Sequence, residues 1–128
     1  MSDPAAAKQW SDPALLRSIR NPAAQLDYVT TIRNREVTFL GAPNQPDFAV
    51  VVIEYVAGAR VIELKSLKTY FQWFRDKLIS YERFISVVYE DLVATYEPKR
   101  LVITTSFNPR GGMRSKLVAK FPNCEGTP

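Results

Sequence analysis

From Leu26 to Leu40 the chain is rich in Val, Thr, Tyr and Ile, the composition of a long strand. Gly41 to Asp47 holds Pro43 and Pro46 and reads as a loop. Phe48 to Val56 predicts a second strand, closed by Ala57 and Gly58, and Arg60 to Leu64 is expected to continue extended. The period then changes. Leu67, Tyr70, Phe71, Phe74 and Leu78 recur at helical spacing, predicting a helix over Ser66 to Ile79 with Ser66 as its N-cap. A second helix is expected from Tyr81 to Tyr96, with Ile85, Val88 and Leu92 on one face and Pro98 as its stop. Arg100 to Phe107 and Met113 to Phe121 predict two more strands around the turn Asn108 to Gly112.

Strand, strand, helix, helix, strand, strand is an α+β order: an antiparallel sheet with two helices on one face. Val50, Val51, Val52 and Ile53 are apolar at adjacent positions, so the second strand has two faces to cover. Subunit association is the simplest cover for the face away from the helices. Residues 26–121 are expected to form the domain, with 1–25 as an N-terminal arm and 122–128 as a tail. Within the arm, Asp12 and Pro13 suit the start of a short helix; an extended, partly ordered segment is the alternative.

Composition narrows the chemistry. The chain has 128 residues and 46% hydrophobic residues, enough for one globular core. There is no histidine, which removes serine–histidine and cysteine–histidine dyads and most zinc sites. Cys124 stands alone, so no internal disulfide forms and a reducing compartment is expected. Met1 to Trp10 holds no apolar signal core, and the expected location is cytoplasmic. The net charge of +4 is mild, with acids interleaved, and leaves RNA binding weakly supported.

Four short segments carry a resemblance. They are Gln45-Pro46-Asp47-Phe48, Glu63-Leu64-Lys65-Ser66-Leu67-Lys68-Thr69-Tyr70, Phe74-Arg75 through Ser80-Tyr81-Glu82, and Phe107-Asn108-Pro109-Arg110-Gly111-Gly112. In this order they resemble motifs of the QueF family of NADPH-dependent 7-cyano-7-deazaguanine reductases, over roughly residues 26–121. The resemblance implies a tunnelling fold, in which sheets of several subunits close a barrel with active sites at subunit interfaces. It implies reduction of a nitrile to an aminomethyl group on the path to queuosine. In that family a cysteine adds to the nitrile, an aspartate handles protons and NADPH supplies hydride.

Carried onto this chain, the resemblance makes Asp47 the proton-handling residue and places Glu82, Glu63 and Tyr81 beside the base. A carboxylate such as Glu82 accepts two hydrogen bonds from a ring N–H and an exocyclic amine together. Lys65, Ser66 and Lys68, with Arg110, Gly111 and Gly112, match the cofactor side, and no metal is implied. The blander readings are a turn aspartate, a helix-start carboxylate, a capped helix with solvated lysines and a hairpin turn.

Departures fall on the substrate side. Counting back from Asp47 without a gap puts the nucleophile position at Leu40; a one-residue deletion moves it to Gly41. Neither residue is a nucleophile. Tyr81 stands where the family has histidine, Ser80 where it has phenylalanine, and Leu64 where it has the first serine of its signature. Losing a covalent nucleophile costs on the order of a thousandfold or more in rate. The expectation is therefore a protein that binds a 7-deazaguanine or a related purine or pterin. Non-covalent chemistry on such a base and a non-catalytic binding module stand beside the family reaction.

Overall fold

The computed structural model describes residues 8–123. Four strands form one antiparallel sheet in the order β2-β3-β5-β6: β2 is Val29–Ala42, β3 Gln45–Val56, β5 Arg100–Phe107 and β6 Lys116–Phe121. The helices α1 (Leu64–Gln72) and α2 (Tyr81–Tyr96) both lie on one face of it, as the alternating pattern requires. Val37, Phe39, Val51, Ile53, Ile103 and Phe107 are buried on that face against Tyr70, Phe71, Phe74, Phe84, Val88 and Leu92. Neighbouring residues on each strand turn the other way. Phe48 and Val118 are exposed there, and Val50, Val52 and Val102 are half-buried.

Three local expectations are corrected. The loop from Gly41 to Asp47 is a tight turn at Pro43 and Asn44, with β2 running through Ala42 and β3 starting at Gln45. Asn44 sits at φ 60°, a conformation asparagine tolerates. The first helix starts at Leu64 rather than Ser66, because Glu63 supplies the cap: its Oε1 accepts the Ser66 N–H at 2.8 Å. It does not run to Ile79 but gives way to a 3-10 turn at Trp73–Asp76. The second helix spans Tyr81–Tyr96 as expected, capped by Glu97 in the left-handed conformation one residue before Pro98.

A second, two-stranded sheet pairs β1 (Ser18–Arg20) with β4 (Arg60–Ile62). The segment leading to it carries a single 3-10 turn at Pro13–Leu15 and buries Leu16 in the core. Its backbone is held by side chains from afar. The Arg17 N–H donates to Ser66 Oγ at 2.9 Å, and the Tyr96 hydroxyl donates to the Arg17 carbonyl at 2.8 Å. Buried Asn21 donates to the Gly58 carbonyl at 2.8 Å and accepts from the Tyr28 hydroxyl at 2.9 Å.

Candidate functional site

The end of β2, the start of β3 and the start of α2 meet at Asp47. Register pairs Asp47 with Phe39, so both side chains face the helices. Asp47 is 2% exposed, an ionisable group taken out of water and held by three partners. Its Oδ1 accepts its neighbour's N–H, from Phe48, at 2.9 Å. Its Oδ2 accepts the Tyr81 hydroxyl at 2.6 Å and lies 3.4 Å from the Arg110 guanidinium. Arg110 also donates to the Pro46 carbonyl at 3.2 Å, which fixes it over the strand end.

The Tyr81 ring is stacked on Phe107, with centroids 3.8 Å apart and an interplanar angle of 3°. Burial first, then the hydrogen bond and charge of Asp47, raise the Tyr81 pKa above its ordinary value. The phenol therefore keeps its proton at neutral pH and donates it to the carboxylate.

Asp47, Tyr81, Glu82 and Arg110 line one cleft of about 310 Å³ with Gly41, Ala42, Ile79 and Ser80. That is the lower end of the size range of small-molecule sites. Glu82 is exposed in the first turn of α2, while Ser80 caps the helix through the Arg83 N–H at 3.1 Å. Gly41 backs directly onto the carboxylate: a Cβ there would stand 3.1 Å from Asp47 Oδ2. Leu40 is one residue earlier on the strand, and alternation turns its side chain to the opposite face from Phe39. Its backbone is bonded to the segment before α2, through Lys77 and Ile79.

The remaining sequence-predicted residues stand elsewhere. Glu63 caps α1, as described above. Ser66 is buried and its hydroxyl is engaged, donating to the Glu63 carbonyl at 2.8 Å and accepting from Arg17. Lys65 and Lys68 are exposed on α1, and Lys68 lines a groove with Arg33, Arg35 and Glu36. Within one subunit this groove shares no lining residue with the Asp47 cleft. Gly111 and Gly112 form the exposed turn beyond Arg110 at φ 59° and 79°, which explains two successive glycines. Cys124 lies outside the described residues. Among the described residues no cluster of acids and thiols could hold a metal, and no helix is long and apolar enough to cross a membrane.

With this geometry in view, comparison with known proteins is decisive for kinship. A family model described as QueF-like protein matches residues 46–125. The chain belongs to the QueF family. A relative from Thioalkalivibrio sulfidiphilus, named NADPH-dependent 7-cyano-7-deazaguanine reductase, is 39% identical over 114 residues, covering 88% of each chain. A relative of the same name from Thermomicrobium roseum is 36% identical over 107 residues, 83% of this chain and 84% of the other. A solved archaeosine synthase QueF-Like, in its apo form, superposes with a TM-score of 0.65 at 18% identity, over 72% of this chain and 91% of the other. That likeness concerns the fold, and it agrees with the tunnelling-fold subunit expected from the strand and helix order.

One region escaped the sequence reading. Beside the Asp47 cleft lies a hollow lined by Lys8, Trp10, Pro43, Leu78 and Arg83. Trp10 and Arg83 are distant in sequence, and no local pattern announces that they meet.

Proposed function

We propose that this protein binds a 7-deazaguanine-type base in the Asp47 cleft without forming a covalent thioimide. The observation that carries the reading is Gly41, whose missing side chain would project onto the Asp47 carboxylate. A thiol at that position would stand beside a proton-handling acid. Here the position is empty of any nucleophile, and this geometry favours Gly41 over Leu40 as the nucleophile position. Glu82 accepts hydrogen bonds from the base, and Tyr81 and Arg110 hold the Asp47 carboxylate in place.

The relatives' names specify NADPH, which supplies hydride when bound. The surface fits its phosphates in part. Lys65 and Lys68 are exposed cations on α1, and Lys68 lines a groove with Arg33 and Arg35. Ser66 does not fit a phosphate, because its hydroxyl is already hydrogen-bonded and buried. Arg110, Gly111 and Gly112 belong to the other end of the assignment. In our reading, a neighbouring copy brings the α1 groove to the Asp47 cleft, and the protein is a cytoplasmic homo-oligomer. The apolar sheet face carrying Phe48, Val50, Val52 and Val118 supports that assembly.

The test is to mix the protein with 7-cyano-7-deazaguanine, measure binding by calorimetry and take an intact mass. Binding without an adduct is expected, with no NADPH oxidation at the family's rate. Gly41→Cys is expected to gain a thioimide-sized mass increment, and Leu40→Cys is not. An adduct on the native chain overturns the reading, as does absence of binding.

A further inference from the structure

The Asp47 cleft is continuous with the neighbouring hollow of about 480 Å³, since Gly41, Ala42, Ile79 and Ser80 line both. The two ends carry opposite charge. Asp47 and Glu82, two acids against the single cation Arg110, stand at one end, and Lys8 and Arg83 at the other. No acid lines the second hollow. Neither Lys8 nor Arg83 makes a salt bridge among the described residues. Both are held instead against one aromatic ring: Lys8 Nζ is 4.4 Å and Arg83 Cζ 4.7 Å from the Trp10 centroid. Cation–π contact fixes the position of a cation without neutralising its charge, so both remain free to meet an anion.

We infer that this hollow is an anion subsite, and that the ligand of the cleft is a phosphorylated nucleoside rather than a free base. The inference rests on the base-binding reading of the Asp47 cleft and adds the chemical class of the rest of the ligand. A base alone presents donors to Glu82 and Asp47 and leaves the Lys8–Arg83 end unused. A ribose phosphate attached to it spans the shared wall of Gly41, Ala42 and Ser80 and delivers its anion to the cations. An arginine fork matches phosphate oxygens in a two-pronged contact, and a lysine beside it adds a point charge. Arg83 also sits in the first turn of α2, where the helix dipole favours negative charge. The Arg83 N–H is taken by the Ser80 hydroxyl, so the side chains rather than that backbone group meet the phosphate. Gly41 and Ser80, small at the wall between the two hollows, leave the passage open.

Calorimetry on the full chain tests this with 7-cyano-7-deazaguanine, its ribonucleoside, the ribonucleoside 5′-monophosphate and ribose 5-phosphate. The monophosphate is expected to bind at least tenfold tighter than the ribonucleoside, and to lose that advantage in Arg83→Gln and much of it in Lys8→Gln. The advantage should shrink with added salt. If base and monophosphate bind equally well, or the advantage survives Arg83→Gln, the subsite inference falls and the base-binding reading stands. If no base-bearing compound binds, the base reading falls. Ribose 5-phosphate then decides the subsite alone, by quenching Trp10 emission in a Trp73→Phe background. Quenching abolished by Arg83→Gln supports the subsite, and no quenching overturns it.

Discussion

The Tyr81 hydroxyl donates to Asp47 Oδ2 across 2.6 Å, joining the start of α2 to the start of β3 at the floor of the cleft. The phenol holds a carboxylate that is otherwise steadied by a half-exposed arginine. Tyr81→Phe keeps the stack on Phe107 and removes only this bond. The expected loss is about 1.5 kcal/mol, the scale of a hydrogen bond to a charged group. Chemical denaturation measures it, and calorimetry should show weaker binding of the base because Asp47 is freer to move. Tyr81→Ala removes the stack as well and should cost more. Equal losses for the two variants would mean that the stack contributes nothing, and no loss in Tyr81→Phe would mean that the hydroxyl contributes nothing.

Ser66 and Lys68 are neighbours in one motif, yet the fold gives them different work. The Ser66 hydroxyl joins α1 to the Arg17 backbone, so Ser66→Ala leaves a part-buried N–H without its acceptor. A stability loss of about 2 kcal/mol is expected, with little direct effect on cofactor affinity. Lys68 is exposed and free of such bonds. Lys68→Gln should leave melting unchanged and weaken NADPH binding, read from the emission of the reduced nicotinamide. A reversal of the two results would return Ser66 to the phosphate and Lys68 to the scaffold.

The outline of the fold was legible because each main element has a strong local period. The long strand, the paired apolar run of β3 and both helices follow from residue type alone. What local pattern missed depends on distant partners. Nothing within Ser18 to Arg20 announces a strand; it forms because Arg60 to Ile62 pairs with it, and because Ser66 and Tyr96 hold the Arg17 backbone. Ser66 looked like a cap because serine commonly is one, but the helix starts two residues earlier and the Glu63 carboxylate caps it by accepting the Ser66 N–H. At the site, Asp47, Tyr81, Glu82 and Arg110 were chosen from spaced motifs, and the fold gathers them into one cleft. Gly41 rather than Leu40 is our proposed nucleophile position because of the direction of a side chain, which counting residues does not give.

Thr105 is fully buried on the core face of β5, and its hydroxyl has no hydrogen-bond partner among the described residues. Its register partners are Val51 and Leu117, both apolar. A hydroxyl taken from water without a partner is a net cost. Thr105→Val exchanges it for a methyl group of similar shape and should raise stability by about 1 kcal/mol. Urea denaturation with an unchanged slope would show that the gain lies in the folded state. A destabilised variant would refute the unpaired hydroxyl.

Tyr96 sets a limit at alkaline pH. It is 2% exposed, and burial, with smaller help from Tyr55 and Glu63, pushes its pKa up to about 12 from 10.0. The unfolded chain therefore releases this proton first as pH rises. The stability held in the protonated phenol is complete below pH 10 and is lost between about 10 and about 12. One such proton changes stability by about 1.4 kcal/mol per pH unit. Tyr96→Phe cannot titrate. It should be less stable than the native chain near neutrality, where the bond to the Arg17 carbonyl is missing, and should lose less as the solution is made alkaline. Tyr70 and Tyr55 are also raised by burial, so the variant keeps part of the slope. Denaturation curves at pH 8, 10 and 11 are expected to converge for the two proteins. Parallel curves would mean that Tyr96 does not carry the shift.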